Sequence, residues 1–195
     1  MTLPVPAEVQ ALYKGRKGRF DTVTVPPMMI AYVDGKGAPP SDAFSNAIGA
    51  LFAVSFTAKF AVKAETGDSP KVLPVASQWT MAKARKDWEW TMLIPQLPPI
   101  DAAAIRKAVK ACKTKQDNPA LDLVKAKTLR EGMCAQTIHV GPYDTVGTTV
   151  DAMYAWIAEH GYTPAGRYHE IYMSDPNRTA PEKLRTLCRV PVKRA

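Results

Sequence analysis

Two turns of similar make-up set the limits on what this chain can fold into. Asp34-Gly35-Lys36-Gly37-Ala38-Pro39 and Gly141-Pro142-Tyr143-Asp144 each close a strand-like apolar run, and each leads into a helical pattern. Glycine admits backbone conformations closed to other residues, and proline removes a donor, so such clusters punctuate a fold. The first turn follows the strand candidate 28–33 and the second follows 129–140. After the first, Ser41 is a natural N-cap and Asp42 sits in the first turn. Phe44, Ile48, Leu51, Phe52 and Ser55 then recur at helical spacing, predicting a helix from 42 to about 60, broken by Gly67-Asp68-Ser69-Pro70. After the second turn, Asp144 is placed to cap a helix carrying Val146, Val150, Met153, Tyr154 and Ile157, ended by Gly161. Two strands follow each helix: 72–81 and 88–94 (closed by Pro95), then the strand from His169 and a last one over 184–192.

The same order of elements therefore occurs twice: strand, turn, helix, strand, strand. This predicts an α+β protein with two antiparallel sheet halves related by a pseudo-twofold axis, helices on one side, and a cleft where the halves join. Residues 1–26 read as an N-terminal extension with a short helix at 7–13. The domain proper spans 27–195: a first half at 27–95, a connector at 96–127 and a second half at 128–195. Within the connector, 101–113 reads as a helix with lysines at its end, 115–119 as a loop and 121–126 as a further helical turn or two.

Composition narrows the function classes. The 195 residues are 46% hydrophobic, enough for a sizeable core, and no run approaches the ~20 apolar residues of a membrane span. No signal peptide is visible at the start, so the expected location is cytoplasmic, with no membrane partner. Cys112, Cys134 and Cys188 show no metal or disulfide spacing. The net charge of +8 is spread along the chain without a nucleic-acid-binding motif, which argues for a solvated basic surface rather than a nucleic-acid partner. No glycine-rich nucleotide loop and no metal-ligand spacing is present, so no cofactor and no metal are expected. The oligomeric state is not legible.

The chemistry concentrates in His169-Glu170-Ile171-Tyr172-Met173-Ser174-Asp175-Pro176, a strand stopped by an Asp-Pro turn. Alternation puts Glu170 and Tyr172 on one face and Ile171 and Met173 on the other. A carboxylate beside a phenol is either a solvated polar face or, lining a cavity, a cation site or water-activating pair. Glu170 and Tyr172 are the candidate catalytic residues. Trp88 and Trp90 share one face of their strand, as core packing or as a pocket wall. Trp79, Trp88, Trp90, Tyr143, His139 and Tyr32 make up the candidate substrate-binding set. His139 and His169 lack ligand spacing and are read as bonding the sheet or its turns.

Taken together, Asp34-Gly35-x-Gly37-x-Pro39, Glu131-Gly132, Gln136-x-Ile138-His139-x-Gly141-Pro142-Tyr143-Asp144 and His169-Glu170-Ile171-Tyr172-x-Ser174-Asp175-Pro176 resemble the GyrI-like small-molecule-binding family, over residues 27–192. No single motif is specific, but their order and spacing are. The resemblance implies a pair of strand-helix-strand-strand (SHS2) units. It also implies one of several roles: drug-sensing effector domain, gyrase-linked protein, or stand-alone hydrolase of cyclopropane-bearing genotoxic compounds. Only about 26 residues precede the first strand, so the resemblance points to the stand-alone group. It makes Glu170 the pocket glutamate, Tyr172 a neighbouring pocket tyrosine and Trp79 the pocket tryptophan. Relatives commonly carry an acid shortly before that tryptophan, and here Pro74-Val75-Ala76 has none. The implied ligand is an aromatic or cationic small molecule, either hydrolysed with Glu170 as general base or bound without turnover.

Overall fold

A computed structural model describes residues 2–195. In chain order the elements are α1 (Ala7–Ala11), β1 (Asp21–Val25), β2 (Met28–Lys36), α2 (Asp42–Thr66), β3 (Ala76–Thr80), β4 (Glu89–Gln96), α3 (Ala102–Lys113), β5 (Lys125–Leu129), β6 (Gly132–Val140), α4 (Val146–Glu159), β7 (Tyr162–Pro164), β8 (Tyr168–Tyr172) and β9 (Arg185–Arg194), with short 3-10 turns between some of them. The protein is a mixed α+β chain whose strand pairs are antiparallel. It divides into two compact units, Pro27–Leu129 with residues 2–6, and Ala7–Pro26 with Arg130–Ala195.

In the first unit the strands lie in the order β3-β4-β2-β5, with α2 packed on β2 and β4 and α3 packed on α2. Ser41 starts α2, its hydroxyl accepting from the Phe44 N–H at 3.3 Å. Gly67 stops it with φ of 80°, and its N–H returns to the Lys63 carbonyl. The helix runs to Thr66, further than its sequence pattern predicts, because no breaker comes before Gly67 and Val62 is still buried. By length and composition α2 is apolar enough to cross a membrane, contrary to the reading of the sequence. Its stripe of Ala47, Leu51, Val54, Ala58 and Val62, however, is buried in the first unit's core. Met92, Leu93 and Ile94 of β4 are fully enclosed, each worth about 1.5–3 kcal/mol of apolar burial. Pro95 does not close β4, which pairs with β2 through Gln96. The β3–β4 register begins at Ala76↔Leu93, so at Pro95 one side of β4 is an edge, where a missing N–H costs little.

In the second unit the order is β8-β9-β6-β1, with β7 on β9. Set beside β3-β4-β2-β5, each strand has a counterpart in the same place, and β3 and β8 correspond. The outer strands are exchanged along the chain. β1 precedes β2 but pairs with β6, and β5 precedes β6 but pairs with β2. Residues 7–26 are thus part of the second unit, and of the helical turn expected over 121–126 a 3-10 turn covers Pro119–Leu123, while residues from Lys125 on belong to the strand β5. Asp144 does not cap α4. It lies in the 3-10 turn Tyr143–Thr145, and Thr145 holds the N-cap position.

Candidate functional site

The β8 backbone fixes the centre of the site. Alternation sends Tyr168, Glu170 and Tyr172 to one face, and the register pairs Glu170 with Cys188 and Tyr172 with Thr186 on β9. Glu170 is 8% exposed. The Tyr172 hydroxyl donates to its Oε2 at 2.9 Å. The Tyr168 hydroxyl donates to Cys188 Sγ at 3.2 Å. Tyr143 meets the Tyr172 ring edge-on, with centroids 5.6 Å apart. Burial pushes the Tyr143 phenol above its usual range, and the Glu170 and Asp175 charges add to the effect. Burial likewise holds Tyr168 well above that range and lifts the Cys188 thiol to about 12. At neutral pH these groups are therefore hydrogen-bond donors, gathered round one carboxylate with aromatic walls. The Thr186 hydroxyl is buried on the same face without a partner among the described residues.

His139 shares this face through Thr186, its register partner on β9. The Pro142 carbonyl can only accept, so Nε2 carries the proton (3.2 Å) and Nδ1 accepts from the Thr149 hydroxyl (2.9 Å). Both ring nitrogens are engaged in tying down the turn that carries Tyr143. Gly141 in that turn has φ of 145°, and a Cβ there would meet His139 Nε2 at 3.2 Å.

The opposite face of β8 holds a buried ionic cluster. His169 Nδ1 donates to Glu131 Oε1 at 2.9 Å, and Arg189 Nη1 lies 3.7 Å from Glu131 Oε2. Arg189 also donates to the Leu12 carbonyl (2.7 Å) and to Gln136 Oε1 (3.0 and 3.2 Å). The side chain of Gln136 donates to the Lys14 carbonyl. This cluster anchors the segment after α1 to the sheet of its own unit. It also explains why Glu131, Gln136 and His169 stand where the motifs have them.

The tryptophans form a second aromatic group, in the first unit. Trp79 on β3 and Trp90 on β4 are register partners, so they share a face, and Phe44 of α2 stacks on Trp79 (5.8 Å) and meets Trp90 edge-on (5.4 Å). Trp88 precedes β4 and meets Trp79 edge-on at 5.9 Å, while its own N–H bonds the Ala82 carbonyl. Trp90 is core. It is 2% exposed, its N–H is taken by the Gly37 carbonyl, and its ring fills the space where a Gly35 side chain would stand. Trp79 differs, because its buried N–H has no partner among the described residues. Tyr32 does not join the tryptophans. The register Tyr32↔Leu93 puts it on the other face of the sheet, where Lys127 lies over its ring at 4.3 Å. Ala76 also faces away from Trp79, fully buried, so an acid at that position would not add to the tryptophan face.

Sequence reasoning missed Tyr168, Cys188, Thr186 and Phe44. Tyr168 was within reach, two residues before Glu170 in the same alternation. Cys188 and Thr186 needed the β8–β9 register.

A buried carboxylate that accepts from a phenol can take a hydrogen bond or a positive charge from a ligand. The model of the GyrI-like small molecule binding domain matches residues 20–193. The chain belongs to the GyrI-like family. Among curated proteins none matches it. Two solved Listeria innocua structures are each 28% identical over 95% of this chain and 97% of their own. One, an uncharacterized conserved protein, has a TM-score of 0.86, and the other, described as a hydrolase, has 0.83. The EcmrR C-terminal domain, at 12% identity and a TM-score of 0.60, covers 91% of this chain and 98% of its own, and shares the fold. Glu170 and Tyr172 thus belong to a GyrI-like small-molecule-binding domain.

Proposed function

We propose that this GyrI-like protein hydrolyses an electrophilic, cyclopropane-bearing aromatic compound, with Glu170 as general base and Tyr172 orienting it. The supporting observation is the 2.9 Å bond from the Tyr172 hydroxyl to a carboxylate that is 8% exposed. The hydrolase description of a structure 28% identical over nearly its whole length agrees with this reading. Glu170 takes a proton from water as the oxygen attacks a ring carbon. The strained C–C bond breaks, and its electron pair moves into the conjugated carbonyl, which takes up a proton and becomes a phenol. The balance is addition of one water, and protonated Glu170 returns its proton through solvent. Tyr143 supplies aromatic surface to a flat substrate, such a contact adding about 0.5–1.5 kcal/mol. The three cysteines, all free and buried, suit a reducing, cytoplasmic setting.

A second reading is a binder that sequesters an aromatic or cationic ligand without turnover. It is favoured by the hydrogen bond that Tyr172 already makes to the carboxylate, which reduces its basicity. Mass spectrometry of a cyclopropane-bearing DNA alkylator, incubated with the wild type and with Glu170→Gln, separates the two. A product heavier by one water, formed only by the wild type, is the expected result. Unchanged compound with quenched tryptophan fluorescence would establish the binder, and equal turnover by Glu170→Gln would remove Glu170 from the chemistry.

A further inference from the structure

One helix face is at odds with its exposure. Phe52, Phe56 and Phe60 follow one another at i, i+4 along α2, their rings stacked at 6.3 Å from one to the next. Phe56 is 42% exposed and Phe60 57%. Lys59 Nζ lies 5.9 Å from both of these ring centroids. Aromatic side chains on the outer face of a core helix are unusual, because the sheet-facing stripe has already supplied the burial the helix needs. Here the outer face carries an apolar ridge with no counterpart in its own unit.

The charges around the ridge are mostly positive, with Glu65 and Asp122 paired to Lys107 and Lys113. Between Ser45 and Ala64 the only charged residues of α2 are Lys59 and Lys63. Alongside runs α3, joined to α2 through Thr57 and Cys112 (3.2 Å) and through Lys107 and Glu65 (3.5 Å). Its Arg106, Lys107, Lys110 and Lys113 are all exposed, and it holds no acid between Ala102 and Lys113. The two helices together carry six cations against Asp42 and Glu65.

We propose that this helical face docks on an anionic lipid bilayer, with Phe56 and Phe60 entering the headgroup boundary and the lysines and arginine of α2 and α3 meeting lipid phosphates. An aromatic ridge bordered by lysines is the chemistry of an interfacial helix, and basic residues near an anionic surface add to the apolar attraction. A second copy of the chain fits less well. It would set Lys59 and Lys63 against the same lysines, while Glu65 and Asp122 are already paired with Lys107 and Lys113. The proposal revises the expectation of no membrane partner. It is independent of the chemistry at Glu170.

The test is flotation of the full chain with vesicles of phosphatidylcholine alone and of phosphatidylcholine mixed with phosphatidylglycerol. Binding to the mixed vesicles only, weakened by added salt, is expected. Phe56→Ser with Phe60→Ser should lower the partition coefficient at least roughly tenfold. Lys59→Gln with Lys63→Gln should lower it roughly fivefold per charge. Both pairs lie on the surface, and unchanged unfolding midpoints would show that the fold is intact. No flotation, equal flotation with both vesicle types, or flotation that survives the phenylalanine changes would overturn the proposal. So would a dimer in light scattering that Phe56→Ser dissociates, which would give the ridge to a second copy.

Discussion

The buried thiols predict a steep loss of stability in mild alkali. Burial lifts Cys134 and Cys188 from 9.0 to about 12, and Tyr13 from 10.0 to about 12. For Cys134 the nearby Glu131 charge adds to the lift, and the Arg189 charge opposes it. In the unfolded chain these groups ionise near their ordinary values, so between pH 9 and 12 the unfolded state binds fewer protons than the folded one. Stability from this source is complete below pH 9 and drains away as pH rises towards 12. Each thiol contributes about 1 kcal/mol of loss between pH 9 and 10, and Tyr13 a few tenths, giving on the order of 2 kcal/mol in total. Against a stability of about 5–15 kcal/mol, that moves a urea midpoint visibly. Urea unfolding at half-unit steps from pH 8 to 10.5 would measure it. The Cys134→Ala, Cys188→Ala double variant should be less stable at pH 8 but should lose much less between pH 9 and 10. Equal slopes for wild type and variant would refute the argument that desolvated thiols carry the effect.

Other consequences are as direct. Arg189→Met removes the bonds to Leu12 and Gln136 and strips Glu131 of its guanidinium, and should cost about 3–5 kcal/mol in urea unfolding. Adding Glu131→Gln should recover part of that loss, because the stranded charge is then gone. Gly35→Ala places a Cβ 2.1 Å from the Trp90 ring. It should destabilise the first unit by about 1–3 kcal/mol and shift tryptophan emission as Trp90 is displaced. Ala76→Glu buries a carboxylate on the face away from Trp79. It should cost several kcal/mol in thermal or urea unfolding, with no gain in turnover.

The strand-helix-strand-strand order was legible because each element carries its own signal. Ser41 and Gly67 cap α2 through bonds a few residues long, and the alternation of β8 lies in its own five residues. β1 and β5 were not legible. Asp-Thr-Val-Thr-Val is short and abuts Pro26-Pro27, and Lys-Ala-Lys-Thr-Leu is separated only by Val124 from the 3-10 turn Pro119–Leu123, so that its first residues fall within the helical turn the sequence predicts over 121–126. Both are strands because β6 and β2 offer them an edge, and those partners lie about a hundred residues away in the chain. At the site, Glu170 and Tyr172 stood out because they are two residues apart in one strand. Cys188 and Thr186 reach Glu170 and Tyr172 only through the β8–β9 register. His139 shows the same limit. Its type invited a binding role, and only the fold around Gly141 commits both its nitrogens to Thr149 and Pro142.

The sequence by itself settled the order of helices and strands, which strand carries the carboxylate, and which family the chain resembles, because capping, periodicity and turn chemistry act over a few residues. Tertiary structure decided which side chains meet. It enclosed Trp90, sent Tyr32 to the far face, left the Trp79 N–H without a partner among the described residues, tied Arg189 to Leu12, and left Phe56 and Phe60 in solvent. Those outcomes depend on register and on the pairing of distant strands, which local propensity does not encode.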